Sequence, residues 1–505
     1  MNIALLLEMA AEAAPDRIGL VCDGKRWTYA DLLSAARGAF ELIEQSGAEY
    51  VALLDESSEA AVIALFGAAL AGVPYCPLNY RLPDADLAAL LARIAPALVI
   101  GDEERVLRLT KAEDAGGDQG HTVYSRELFT LNAQEAFPEA EDREYDPGEG
   151  IAVQLFTSGT TAAPKAAILR HSNLLGYILG TVEFAAADEA DAALVSVPPY
   201  HIAGISALMS SIYANRRIVM LPNFSPEAWL GLVAGEKVSN AFVVPTMLSR
   251  IIEAIDAGTR PDISSLRAIA YGGGKMPLEI INRALDLFPA TNFTNAYGLT
   301  ETSSTVALLG PEEHRAAHNS DDPAARARLA SVGKPLPTIE LEIRDEDGKV
   351  LGPNEAGEIY VRGDQVSGEY KEKSALVADG WFPTRDAGYL DDEGYLFLSG
   401  RADDVIIRGG ENMSPGEIED VLLTHPAIAD VAAVGVPSVE WGEAVGIACV
   451  VREGHECPPE DELKTMVRER LRSSRVPERV QFVPELPYNE MGKLLRREVK
   501  KILAE

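Results

Sequence analysis

Short β-branched apolar runs recur at residues 50–54, 97–100, 151–155, 193–197, 217–221 and 241–244, with helix-compatible stretches between them. Strands alternating with helical patterns build βαβ units and largely parallel sheets, so the expected class is α/β. The pattern lapses over 111–121 and 311–328, which are polar and broken by Gly or Pro. Both read as surface loops, the second bordering two subdomains. A strand-rich region follows, in which Asp345-Glu-Asp-Gly348 reads as the hairpin turn between 339–343 and 350–351. A strand-like run ends at 395–398 and a new βα alternation begins, which places a domain boundary near Gly400 to Asp404. The expected layout is a large N-terminal domain of layered α/β subdomains, 1–400, and a small α+β domain, 401–505, with no internal repeat.

The length of 505 residues also exceeds one ordinary core. An apolar content of 47% with 24% charged residues belongs to a soluble globular chain. The formal charge of −33 argues against nucleic acid as a partner, since phosphate backbones demand a positive face. A short basic cluster, Lys493, Arg496, Arg497, Lys500 and Lys501, serves either as a local anion attractor or as a solvated helix face. The apolar start, 3–7, is followed at once by Glu8 and Glu12 and does not read as a signal peptide. No apolar run reaches the length of a membrane span, so a cytoplasmic protein is expected. Cys22, Cys76, Cys449 and Cys457 show no C-x-x-C spacing and read as free thiols, with no structural zinc.

The chemistry begins at 156–165, Phe-Thr-Ser-Gly-Thr-Thr-Ala-Ala-Pro-Lys, which follows the apolar run 151–155. Clustered hydroxyls, a Gly for close backbone approach and a terminal Lys suit the oxygens of a polyphosphate. The segment is not G-x-x-x-x-G-K-[ST], which disfavours an ordinary P-loop NTPase. Alone it would read as a solvated Ser/Thr turn.

Further blocks follow it: Asn295-Ala-Tyr297-Gly298-Leu-Thr300-Glu301, Thr384-Arg385-Asp386-Ala-Gly388-Tyr389, Gly400-Arg401-Ala-Asp403-Asp404 through Gly409-Gly410-Glu411-Asn412 to Glu417-Ile-Glu419, and Gly492-Lys493 before Arg496-Arg497. With the first segment these resemble, in order, the motifs of the adenylate-forming superfamily, which includes acyl-CoA synthetases, peptide-synthetase adenylation domains and beetle luciferases. The resemblance implies an AMP-forming acid–thiol ligase that uses ATP, Mg²⁺ and CoA. It also implies a small, mobile C-terminal domain hinged at Asp403.

By resemblance, Thr157, Ser158, Gly159, Thr160, Thr161 and Lys165 cradle the β and γ phosphates, Thr300 meets the α-phosphate and Glu301 holds Mg²⁺, a hard cation that takes oxygen ligands. Asp386 takes the ribose hydroxyls with Arg401 in support. Gly272, Gly273 and Gly274 form a flat backbone wall for adenine, Asn295 reads its amino edge, and Tyr297 and Gly298 complete the nucleotide block. Lys493 is the expected catalytic cation, bridging the carboxylate and the α-phosphate. Gly409, Gly410 and Trp441 match a pantetheine tunnel, although Trp441 could equally be a core aromatic.

The usual phosphate loop has Gly where Ala162 and Ala166 stand, so both should adopt ordinary negative φ. Arg385 replaces a frequent Gly, and 369–379 is shorter than its counterpart; these departures bear on loop geometry and oligomer contacts, and a homodimer is left open. The segment Pro198-Pro199-Tyr200-His201-Ile202-Ala203-Gly204 lacks the aspartate that amino-acid-activating relatives carry. Tyr200-His201 resembles the aromatic–His pair of fatty- and aryl-acid enzymes, with His201 gating or orienting the carboxylate. Small residues Ala203, Gly204, Ser206 and Ala207 leave room for an apolar acid, fatty or aromatic. Two other functions stay open: an acyl-AMP ligase delivering to a carrier protein, and a catalytically silent binder of acyl-adenylate or nucleotide.

Overall fold

The computed structural model describes residues 1–111, 120–136, 145–157, 164–259, 261–401, 404, 406–408, 411–438, 441–471, 473–488 and 494–504. All six strands expected above form, at Tyr50–Leu54, Ala97–Gly101, Ile151–Thr157, Ala192–Val195, Arg217–Met220 and Asn240–Val243. They belong to two large sheets. One has seven strands in the order Glu369–Tyr370, Lys165–Arg170, Ile151–Thr157, Tyr75–Pro77, Tyr50–Leu54, Ala97–Gly101 and Thr122–Tyr124. It is parallel from Ile151–Thr157 onward and antiparallel at the Glu369 edge. The other has nine strands, with a parallel interior that runs from Asn292–Leu299 through Ala268–Gly272, Asn240–Val243, Ala192–Val195 and Arg217–Met220 to Ile18–Cys22.

The main core lies between these sheets. It joins Val51, Leu53, Val153 and Leu155 of the first to Leu20, Ile218 and Met220 of the second through helices. The helix Glu59–Ala71 is buried on nearly every side, which is why its sequence, EAAVIALFGAALA, shows no polar face. The helix Tyr29–Ser46 begins in a capping box, with Thr28 accepting from Asp31 N at 3.0 Å and Asp31 accepting from Thr28 N at 2.9 Å.

The hairpin at Asp345 forms as expected, with Gly348 N donating to Asp345 O at 3.0 Å. The loop expected at 311–328 does not: the helices Pro311–His318 and Pro323–Ala327 occupy it. Pro at each first turn and the Glu313 carboxylate, which accepts from Gly310 N at 2.6 Å, start these helices despite the polar composition. His314 is buried there against the Tyr271 hydroxyl at 2.8 Å. Of the segment 111–121, residues 112–119 lie outside the described residues.

A four-stranded antiparallel sheet, Glu340–Arg344, Gly357–Arg362, Phe382–Leu390 and Leu396–Arg401, leads to a last sheet centred on Ile428–Ser438 and Gly442–Val451. Cys22, Cys76 and Cys449 are buried and Cys457 is exposed, all as free thiols; burial pushes each of the three buried ones up to about 12. Among the described residues no helix is long and apolar enough to cross a membrane.

Candidate active site

Three groups of predicted residues are linked through the strand Asn292–Leu299. The first surrounds Glu301, on the 3-10 turn Thr300–Thr302 between the strands Asn292–Leu299 and Ser304–Leu309. The buried Thr302 hydroxyl accepts from Leu299 N at 2.9 Å and lies 2.8 Å from Ser304 O, while Ser303 and Ser304 take φ of 56° and 123°. Non-glycine residues at positive φ persist only where the surroundings impose them. Buried Gln365 does so, donating to Thr302 O at 3.0 Å and Thr305 O at 2.7 Å. The turn leaves Thr300 and Glu301 half-buried. Glu301 accepts the Tyr370 hydroxyl at 2.5 Å, and Lys165 Nζ lies 5.6 Å from the centre of the Tyr370 ring.

Thr157 and Lys165 are Cα partners on an antiparallel pair, so the two ends of the predicted phosphate loop are fixed side by side. Ser158, Gly159, Thr160, Thr161 and Ala162 between them lie outside the described residues. Ala166 has the ordinary negative φ expected of it.

The second group centres on Asp386. Tyr297 donates to its Oδ2 at 2.6 Å, Arg401 Nε lies 3.1 Å from its Oδ1, and the strand pairing puts Asp386 and Arg401 in register. Thr384 Oγ1 accepts from Asp386 N at 3.1 Å. A carboxylate has two acceptor oxygens with about four lone-pair directions, the capacity that a pair of sugar hydroxyls requires. Burial and the Asp386 charge push the Tyr297 phenol well up, so it stays a donor. Beside it, Arg385 takes a φ of 61°, a left-handed backbone that Gly adopts without steric cost.

The third group is the wall. Gly272 ends the strand Ala268–Gly272 and pairs with Ala296, so a Cβ there would strike the Ala296 carbonyl. Gly273, with φ of 77°, and Gly274 are exposed beyond the strand end. Asn295 donates to Ser331 O at 3.1 Å, which leaves its side-chain oxygen to accept from an amino group. Gly298 packs against the Ser304 backbone where the strand bulges, and a Cβ would collide there too.

In the segment expected to meet the acid, His201 immediately precedes the helix Ile202–Tyr213, and its ring lies 4.4 Å from Tyr200, which packs at 5.7 Å on Tyr80. Burial, helped by the Arg81 charge, pushes His201 down to about 4, so its ring is uncharged at neutral pH. Glu419 and Arg496 serve as structural bolts. Glu419 accepts from Ala433 N at 2.8 Å and from Arg496 NH2 at 3.0 Å, tying the last helix, Arg496–Ile502, to the C-terminal sheet.

Trp441 is not a core residue: it is 41% exposed, with Arg408 over its ring at 5.2 Å. Asp403, Gly409, Gly410 and Lys493 lie outside the described residues. Sequence reasoning missed Tyr370, Gln365, Tyr80 and Arg81; the unusual length of 369–379 was the only signal near any of them.

Two family models match: AMP-binding enzyme over residues 7–371 and AMP-binding enzyme C-terminal domain over 417–493. A 2-succinylbenzoate–CoA ligase of Geobacillus kaustophilus is 33% identical over 98% of this chain and 97% of its own length. A fatty acid–[acyl-carrier-protein] ligase, ScoC, of Streptomyces coeruleorubidus is 29% identical over 97% of this chain and 94% of its own. The o-succinylbenzoate CoA synthetase of Bacillus subtilis, solved with the acyl-adenylate OSB-AMP, superposes with a TM-score of 0.82 at 29% identity, covering 98% of this chain and 97% of that one. The same enzyme has been solved with ATP and magnesium ion.

Proposed function

The chain belongs to the AMP-binding enzyme family, and on that premise we propose that its site activates an aromatic carboxylic acid, with 2-succinylbenzoate the first to test. It is an AMP-forming acid–thiol ligase acting on ATP, a carboxylic acid and CoA, with Mg²⁺. A carboxylate cannot be attacked directly at neutral pH, because oxide would have to leave. Its oxygen therefore attacks the α-phosphorus of ATP and expels pyrophosphate; the CoA thiol, losing its proton, then attacks the acyl carbon and expels AMP.

The observation that carries the reading is the clamp on Asp386, whose partner Tyr297 comes from 89 residues away and sits beside the glycine wall. In this reading Asp386 and Arg401 take the ribose, Gly272, Gly273, Gly274, Tyr297 and Asn295 frame adenine, and Thr300 meets the α-phosphate. Thr157 and Lys165, with Ser158, Gly159, Thr160 and Thr161, hold the outer phosphates. The Glu301 carboxylate with its neighbouring hydroxyls is a hard oxygen donor set that fits Mg²⁺, which when bound neutralises phosphate charge. Neutral His201 orients the acid. Lys493 supplies the transition-state charge, Asp403 is the hinge between 1–400 and 401–505, and Gly409, Gly410 and Trp441 guide the pantetheine arm. The exposed Trp441 supports an acceptor that approaches from solvent.

The test is acid-dependent exchange of labelled pyrophosphate into ATP across aryl and fatty acids, followed by CoA consumption for each active acid. Exchange confined to fatty acids would overturn the aryl assignment. Exchange without CoA turnover would favour the carrier-protein reading, which the likeness to ScoC keeps in view.

A further inference from the structure

The segment 367–371 is bonded to two parts of the site at once. On one side Glu369 and Tyr370 pair with Ile168 and Ala167, and Lys371 N donates to Ala166 O at 2.9 Å, all on the strand that returns from the phosphate loop. On the other side Ser367 N and Gly368 N donate to the Glu301 main-chain oxygen at 2.9 and 3.2 Å. Arg170 holds Glu369 through two contacts of 2.9 Å, and Lys371 Nζ donates to the Tyr50 hydroxyl at 3.0 Å.

The strap is thus anchored by its main chain and by the side chains on either side of Tyr370. The Tyr370 hydroxyl is not needed to hold it, and yet it makes the 2.5 Å bond to Glu301 Oε1. Glu301 Oε2 accepts from no described residue. A carboxylate on a strained turn, tethered through one oxygen and open at the other, is oriented for a ligand on the open side.

We propose that Tyr370 is a positioning residue that fixes the Glu301 carboxylate for a divalent cation; this rests on the reading of Glu301 as the Mg²⁺ ligand. Hydrogen-bond partners of a ligating carboxylate set its orientation, and removing one costs about 10–100-fold in metal affinity or activity. Lys165 over the ring couples this tether to the end of the phosphate loop.

The test is Mn²⁺ binding, followed by electron paramagnetic resonance in the presence of a non-hydrolysable ATP analogue, for the wild type, Tyr370→Phe, Glu301→Gln and the double variant. Tyr370→Phe should weaken Mn²⁺ binding by about 10–100-fold, with metal-free analogue affinity and melting temperature unchanged. In the Glu301→Gln background the same change should add nothing, because the effect acts through that carboxylate. Equal Mn²⁺ affinity in wild type and Tyr370→Phe, or full additivity in the double variant, would overturn the assignment. A wild type that binds neither analogue nor Mn²⁺ would instead remove the nucleotide reading on which it rests. Loss of analogue binding and melting temperature along with Mn²⁺ would give Tyr370 a purely structural role.

Discussion

The Asp386 corner, proposed to take the sugar, and the Glu301 corner, proposed to take the metal, are built on opposite plans. Asp386 sits on a strand, with both oxygens engaged by Tyr297 and Arg401 and its main chain held by Thr384. Glu301 sits on a short turn followed by two residues at positive φ, with one oxygen engaged by one phenol. A carboxylate that accepts from a neutral sugar can be fully preorganised at little cost. One that takes a cation must keep an oxygen free and adjust as the metal arrives with its water.

The largest expected effect lies outside both corners and sets the scale for them. Lys493→Ala should lower adenylation about 10²–10³-fold, the range for one preorganised donor, while thioester formation from supplied acyl-adenylate survives. Equal loss of both half-reactions would remove that role. Between the corners, Asp386→Ala strands the Tyr297 hydroxyl and the Arg401 charge, and should raise KM for ATP by about 10–100-fold from a loss of about 1.5–3 kcal/mol. Added Mg²⁺ should leave that defect untouched, whereas the defect of Glu301→Gln should shrink as Mg²⁺ rises. Matching Mg²⁺ responses would erase the distinction.

Neither corner contains a histidine, so acid sensitivity should come from elsewhere. Burial pushes His171 and His201 down to about 4. In the window from about 6.5 to 4 the unfolded chain binds the extra protons, so stability is full above it and falls as pH drops, by up to about 1.4 kcal/mol per pH unit for each group. Thermal melting from pH 7 to 4 should show this loss, and His201→Gln should flatten part of it; an unchanged slope in that variant would exclude His201 as a source. Tyr297→Phe, which keeps the ring and the Arg401 tether, should raise KM for ATP only a few-fold, about 1 kcal/mol. The smallest effect is Arg385→Gly. Relief of the left-handed backbone, worth about 1 kcal/mol, should raise the melting temperature slightly without changing kcat, and a fall would show that the Arg385 contacts with Glu358 outweigh the strain.

The strands and the hairpin at Asp345 were legible because local apolar pattern and turn chemistry decide them. The helices at 311–318 and 323–327 were misread although their Pro starts and Glu313 were in the sequence, because the polar composition of the stretch drew more weight. Asp386, Glu301 and Arg401 were singled out through motifs, not through spacing, since Tyr297 and Tyr370, which bond the two carboxylates, lie 89 and 69 residues away. Tyr370 illustrates the limit. It reaches Glu301 across 69 residues through a two-residue strand, and nothing local marks it. Arg385 stood out as a departure from Gly, and its φ of 61° supplies the reason Gly is common there.

Thr157 and Lys165 face each other on paired strands, with Phe156 opposite Ala166 and Leu155 opposite Ala167 behind them. The register of this pair is therefore set by its own residues and not by the segment between Thr157 and Lys165. The composition of that segment can drift, Ala for Gly included, without displacing the register of the sheet that carries it. Chimeras with a relative's phosphate loop should need only two junctions, at Thr157 and Lys165, and their stability should track this scaffold rather than the donor.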